Sequence, residues 1–179
     1  KKVVVSSADF ILNDLNRIEK KDNLFVFSYS PIDHRAVYNA SLLAVKTLSI
    51  IYDLTKNNNL KNLAFIAAKT ACENQMLNGA FIHSDQVGSK WRDNFHTGFK
   101  LECLALYVQL CNDNVFDENI AIGFDYWINN FFLDNGIPKY FDNKIYPIDL
   151  HTVGQMIPTL YHCEKLGQYE SKLLQTFKW

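Results

Sequence analysis

Proline and glycine are scarce in this chain of 179 residues, at 4 and 7, and the apolar residues recur at helical rather than alternating spacing. A mostly helical fold is expected. Charge of one sign is also lacking: 18 Lys+Arg stand against 19 Asp+Glu, a formal net charge of −1. Without a dense Lys/Arg run the chain lacks the electrostatic attraction that supplies most nucleic-acid affinity, so no nucleic acid is expected as a partner. An anionic membrane surface is excluded on the same ground. No run approaches the ~18 apolar residues of a membrane span, and the start, Lys1 to Ser7, lacks the apolar region and cleavage site of a signal peptide. The sequence reads as cytoplasmic. Cys72, Cys103, Cys111 and Cys163 share no C-x-x-C spacing, which points to free thiols rather than a zinc ribbon or redox pair. No G-x-S-x-G, P-loop, Rossmann fingerprint or H-E-x-x-H occurs, so no cofactor and no metal is called for.

What is present is apolar mass, 48% hydrophobic and 14% aromatic. One domain, residues 1–179, would bury roughly 70% of the surface exposed by its unfolded chain. The chain also repeats itself. Asp33, Asp93 and Asp149 each follow a turn-like stretch, open an apolar helical segment and precede a His within three positions; they lie 60 and 56 residues apart. Reading outward from them predicts helices near 3–20, 33–56, 60–77, 93–111, 116–134, 149–165 and 168–177. The fourth is apolar over most of its circumference, as an inner helix should be.

The connections alternate. After each Asp-led helix comes a short turn (Asn57-Asn58-Asn59, Asn112-Asp113-Asn114, Leu166-Gly167-Gln168) of residues that tolerate a left-handed helix end. Before each comes a long link, 21–32, 78–92 and 135–148, with strand-like pieces such as Phe25-Val26-Phe27 and a hairpin around Asp142-Asn143. Helical hairpins with short turns on one rim and long loops on the other build an all-α, α/α toroid. At about 55 residues per unit, three hairpins fit, an arc of a ring with function on its long-loop rim.

An aspartate before a first helical turn caps it for about 1 kcal/mol. On inner helices the same carboxylates would also ring a central cavity. His96 and His151, each beside a carboxylate and followed by a Thr, are candidates for proton transfer. Glu102, a carboxylate in an apolar helix, is a candidate general acid whose bland alternative is a salt bridge to a neighbouring outer helix. Candidate catalytic residues are therefore Asp93, His96, Glu102, Asp149 and His151. Trp91, Phe95, Tyr38, Tyr140 and Tyr146 offer aromatic surface for sugar rings, with Asp33, Asn39 and Gln155 for hydroxyl groups.

The runs Tyr29-Ser30-Pro31-Ile32-Asp33, Val37-Tyr38-Asn39-Ala40-Ser41, Trp91-Arg92-Asp93-Asn94-Phe95-His96-Thr97-Gly98-Phe99, Asn135-Gly136-Ile137-Pro138-Lys139-Tyr140-Phe141 and Tyr146-Pro147-Ile148-Asp149-Leu150-His151 resemble a family of bacterial α/α-toroid proteins. That family is found with capsule and exopolysaccharide biosynthesis and is grouped with squalene-cyclase-like and six-hairpin glycosidase-like folds. The resemblance implies a toroid, a link to surface-polysaccharide metabolism, and Asp33, Asn39, Asp93, His96, Asp149 and His151 as rim residues. Asn78-Gly79-Ala80-Phe81 departs from the Asp-Gly-Ser-Trp-like turn of such proteins and loses a carboxylate. The family is longer at the N-terminus, and this chain does not begin with Met, so a missing N-terminal segment is expected.

Two functions remain open at this level. One is a hydrolase, lyase or epimerase acting on a poly- or oligosaccharide or its precursor. The alternative is a non-catalytic glycan- or protein-binding scaffold of a polysaccharide-synthesis assembly. An isoprenoid cyclase is disfavoured, since no Asp-x-Asp-Asp or Asp-Asp-x-x-Asp run occurs. An open arc would leave apolar inner faces uncovered, so self-association as a homo-oligomer is a further expectation.

Overall fold

A computed structural model describes residues 2–179. The described residues form seven α-helices, α1 (Lys2–Asn13), α2 (Tyr38–Thr55), α3 (Asn58–Glu73), α4 (Asn94–Cys111), α5 (Asp117–Asn130), α6 (Leu150–His162) and α7 (Glu170–Lys178), and two short strands, β1 (Arg17–Glu19) and β2 (Phe25–Phe27). Three helical hairpins result: α2 packs on α3, α4 on α5 and α6 on α7. The first helix of each hairpin packs on its counterpart, α2 on α4 and α4 on α6, so these three form an inner layer. The α/α-toroid arc is therefore present, with α1 laid against α2.

The core runs between the two layers. Leu42, Val45 and Leu48 of α2, Leu101 and Leu104 of α4, and Met156 and Leu160 of α6 meet Ala64, Ala67, Phe124 and Trp127 of the outer helices, all essentially solvent-free. The alanines let α3 approach closely. Inner faces away from the outer layer stay open, leaving Leu43, Ile157 and Tyr161 at 49%, 45% and 64% exposure. All four cysteines are free.

The expected boundaries shift: α3 and α5 each end four residues early, at Glu73 and Asn130. The first helix stops at Asn13, because Arg17–Glu19 pairs antiparallel with Phe25–Phe27. The left-handed helix ends fall on Lys56 (φ 56), Asn112 (φ 47) and Glu164 (φ 56), so only the second turn uses its predicted asparagines. Asp33 does not open α2. Its carboxylate accepts the Arg35 backbone N–H at 3.1 Å and the Arg35 Nε at 2.9 Å, and α2 begins five residues later at Tyr38 with Val37 as its N-cap.

The repeat survives this correction with a different anchor. Val37, Asp93 and Asp149 are the three inner-helix N-caps, 56 residues apart in both steps. Val37 bridges Ser84 and the Tyr38 N–H donates to the His83 carbonyl; Asp93 bridges Phe141 and the Asn94 N–H donates to the Tyr140 carbonyl. The first two inner helices, α2 and α4, are thus each seated on the next long link. The links also open alike, with Glu19 opposite Phe25, Gln75 opposite Phe81 and Phe132 opposite Pro138. The tight turns between these pairs need positive φ, supplied by Asn23 (φ 61), Gly79 (φ 88) and Gly136 (φ 86). A Cβ at Gly79 would also fall 2.1 Å from the Ile122 carbonyl oxygen, so glycine is required twice over there.

Asn94 ties these parts together. Its amide donates to the carbonyls of Phe131 (3.0 Å) and Lys139 (3.1 Å), and its Oδ1 accepts the Trp127 indole N–H at 2.7 Å. Replacing a buried hub with three partners strands each of them, at about 1–3 kcal/mol per group. Asn94→Ala is therefore expected to lower the unfolding free energy by about 3 kcal/mol in urea titrations, whereas Asn143→Ala in the adjoining turn should change it by less than about 0.5 kcal/mol.

Candidate functional site

The long links 14–37, 74–93 and 131–149 gather on one rim, at the N-termini of α2, α4 and α6. Two helix caps there carry the same device. The Asp93 carboxylate accepts the backbone N–H of His96 through Oδ1 at 2.8 Å and holds the His96 Nδ1 through Oδ2 at 2.8 Å. Asp149 Oδ1 accepts the His151 N–H at 2.9 Å and holds His151 Nδ1 at 2.8 Å. The one-residue difference in Asp–His spacing is absorbed because either the second or third helical N–H can meet a cap. An ionised carboxylate has no proton to share, so Nδ1–H is the donor in both pairs and Nε2 is the free ring atom. Burial raises the Asp93 carboxyl, but the bonds from His96 outweigh it and hold it below the usual carboxylate range.

Both imidazoles pack edge-on against the Phe95 ring, His96 at 5.1 Å and His151 at 5.9 Å between centroids. Phe95 stacks one turn further on Phe99 at 6.2 Å, giving α4 an aromatic stripe towards the concave side. Trp91 lies nearby, 6.1 Å from His96, with one face covered by His83 at 3.9 Å. Tyr140 sits edge-on to Phe141, and Tyr146 is exposed on the same link. Sequence reasoning thus placed Trp91, Phe95, His96 and His151 in one neighbourhood.

Other candidates lie elsewhere or are already engaged. Tyr38, expected to offer a sugar-stacking face, is 2% exposed and buried in the core, since its place in the first turn of α2 points it inward. Gln155 is buried and donates to Glu102 Oε2 at 2.7 Å. Glu102 also pairs through Oε1 with Lys46 of α2 at 2.5 Å. The partner anticipated on an outer helix stands on an inner one. Asp33 is bound to Arg35, while Asn39 is 7% exposed with its Oδ1 unbonded within the described chain.

Two basic residues were missed. His83 stacks on Trp91, has an unpartnered buried Nδ1, and burial pushes its pKa down to about 4. Lys100, fully buried, donates to the Ile82 carbonyl at 2.9 Å, and desolvation lowers it to about 8 although Asp93 opposes this. A Lys in so apolar a helix was the one available signal. Among the described residues no three His, Cys, Asp or Glu side chains converge as metal ligands, and no helix is long and apolar enough to cross a membrane.

No protein-family model matches the chain, and no curated protein does. Solved structures do. A GH76 α-mannanase of Bacteroides thetaiotaomicron superposes with a TM-score of 0.73 over 98% of this chain and 55% of its own, at 11% identity. A D-mannose isomerase superposes with a TM-score of 0.69 over 98% of this chain and 48% of its own, at 10% identity. The fold is that of the α/α-toroid enzymes. At these identities the likeness establishes architecture alone, and the chain spans about half the length of each neighbour. Both neighbours are carbohydrate-processing enzymes.

The depressed His83 has a measurable consequence. In the unfolded chain it titrates near 6.5 and in the folded one near 4, so between those values the unfolded state binds the extra proton and stability falls as pH is lowered. Burial lowers His162 in the same direction. Denaturation midpoints should therefore decline from pH 6.5 to 4, and His83→Phe, which keeps the stack on Trp91, should flatten that decline.

Proposed function

We propose that this chain is a carbohydrate-active protein whose rim moves protons on a neutral sugar, in the manner of an epimerase or isomerase, within bacterial surface-polysaccharide metabolism. The observation that carries the reading is the pair of imidazoles, each held through Nδ1 by its own helix-capping aspartate and both packed on Phe95. One Nε2 takes a proton from a sugar carbon while the other imidazole, protonated, returns one. Phe95 and the uncovered part of Trp91 supply the apolar surface a sugar ring stacks on.

Hydrolysis by paired carboxyl groups fits less well. It needs one carboxyl free to protonate a leaving group and a second free to act as base or nucleophile, roughly 5–10 Å apart. Asp93 and Asp149 are bonded to helix N-termini and imidazoles, and Glu102 is bonded to Lys46 and Gln155. The polysaccharide context is supported by the Trp91–Phe99 and Tyr146–His151 motifs, and a sugar substrate by the likeness to a mannanase and a mannose isomerase.

Incubation with D-mannose and with mannose-containing oligosaccharides in D2O tests the reading. Deuterium should enter a sugar C–H position, followed by NMR, and His96→Ala or His151→Ala should slow that entry by about 10²-fold or more. Asp93→Asn is the sharper variant. An asparagine caps as well as an aspartate, so stability should change by less than about 1 kcal/mol while exchange falls with the loss of the fixed Nδ1 proton. Exchange indifferent to both histidines would overturn the proposal, and sugar binding without exchange would favour the scaffold.

A further inference from the structure

The Asp93–His96 pair adjoins a cavity that the rim reading leaves unexplained. It lies between α1, the first half of α2 and the N-terminal turns of α4, and encloses about 550 Å3, with His96 and Phe95 on its border. That volume is within the ~300–1,000 Å3 of ordinary small-molecule sites. Its wall is Phe10 from α1, Leu43 from α2, and Phe99 from α4, joined by Tyr29 of the link before α2. No Asp, Glu, Lys or Arg lines it. Phe10 and Leu43 stand 47% and 49% exposed, a large apolar area for the inside of a cleft otherwise edged by polar groups. One polar group is left over in this wall. Asn39 is 7% exposed, borders the cavity, and its Oδ1 has no hydrogen-bond partner among the described residues.

A buried amide oxygen without a partner costs about 1–3 kcal/mol, and a ligand N–H or O–H delivered to it recovers that cost. Ser7, Ser28 and Thr47 also line the cavity, but their hydroxyls donate to backbone carbonyls, and a mainly apolar wall with one unspent amide oxygen is matched by a molecule that is apolar on most of its surface and polar at one junction. With no Lys or Arg in the lining, and the His96 ring already held by the Asp93 carboxylate, an anionic group would find no free cation, which disfavours a sugar phosphate, a nucleotide sugar or a uronate. We infer that this cavity is a subsite for an apolar substituent, alkyl, aryl or acyl, carried by a neutral sugar. Asn39 bonds the polar junction, Phe10, Leu43 and Phe99 enclose the substituent, and the sugar ring extends past Phe95 towards His96. The inference rests on the rim reading given above and adds to it the class of sugar preferred.

Equilibrium binding of methyl α-D-mannopyranoside, hexyl α-D-mannopyranoside and 1-hexanol, followed by Trp fluorescence and calorimetry, tests it. The hexyl mannoside should bind about tenfold or more tighter than the methyl mannoside, since each buried methylene adds to affinity. Leu43→Asp, at a half-exposed position, should cancel that gain while leaving the methyl mannoside affinity and the unfolding midpoint unchanged. Asn39→Ala should weaken the hexyl mannoside severalfold. Equal affinities of the two mannosides in the unaltered protein would overturn the inference, as would hexanol binding as tightly as hexyl mannoside, because the sugar would then contribute nothing. The two readings fail separately. Methyl mannoside binding that His96→Ala weakens, with no hexyl gain, sinks the subsite and leaves the rim; a Leu43-dependent hexyl gain indifferent to His96→Ala supports the subsite and counts against the rim.

Discussion

α4 is buried on nearly every side, and a helix in that position cannot hand its first N–H groups to water. The Asp93 carboxylate, itself only 6% exposed, meets one of them, and the next residue meets the surroundings. A lone buried carboxylate would be costly, and what makes this one tolerable is the double bond to the backbone and ring of His96. Asn94 then fastens the same turn to the Phe131 and Lys139 carbonyls and to Trp127 of α5. Two consecutive residues fix the start of the central helix, the end of an outer helix, a loop hairpin and an imidazole. The His96 imidazole is therefore oriented by the same interaction that lets the helix begin.

The three inner helices solve the same problem with different side chains. Each has its N-cap 56 residues from the next, yet the caps are Val37, Asp93 and Asp149. Val37 has no oxygen to offer, and the backbone bridge to Ser84, with the Tyr38 N–H on the His83 carbonyl, does that work instead. In α2 and α4 the repeat is thus carried by backbone pairing between the helix start and the following link. That leaves the side chain at each cap free to differ, and the chemistry follows the difference: the two aspartate caps hold imidazoles, while the valine cap leaves Asn39 beside it without a partner.

Most of the architecture was legible because it rests on local patterns. Apolar periodicity marked the helices, and the contrast of short and long connections marked the arc. Asp93 and Asp149 were legible as caps since their partners lie two and three residues away. Asp33 misled because a capping aspartate and an aspartate closing a turn on Arg35 look alike in sequence. Tyr38 misled because inner-helix periodicity does not say which face meets the cavity. His83 was not legible at all, and Lys100 only as a lysine in an apolar helix. Their environments are made by residues distant in the chain, Trp91 above one and Ile82 beside the other, and only the folded link brings these together.

Glu102 shows how a fold can decide which group does chemistry. It was the plainest candidate acid, a carboxylate in an apolar helix. In place, it receives Lys46 from α2 on one oxygen and Gln155 from α6 on the other, and Thr159 of α6 donates to the Gly98 carbonyl beside this network. A carboxylate bonded on both oxygens across three helices holds the inner layer in register. To serve as a general acid it would first have to be protonated, and that would strand the Lys46 charge in a half-buried site, which costs more than the ion pair is worth. Asp93, Asp149 and Glu102 are therefore occupied in holding helices, two at their ends and one at its midpoint. His96 and His151 differ from these carboxylates in keeping one ring atom, Nε2, outside the bonds that start the helices, so a ligand can meet it without disturbing a helix start.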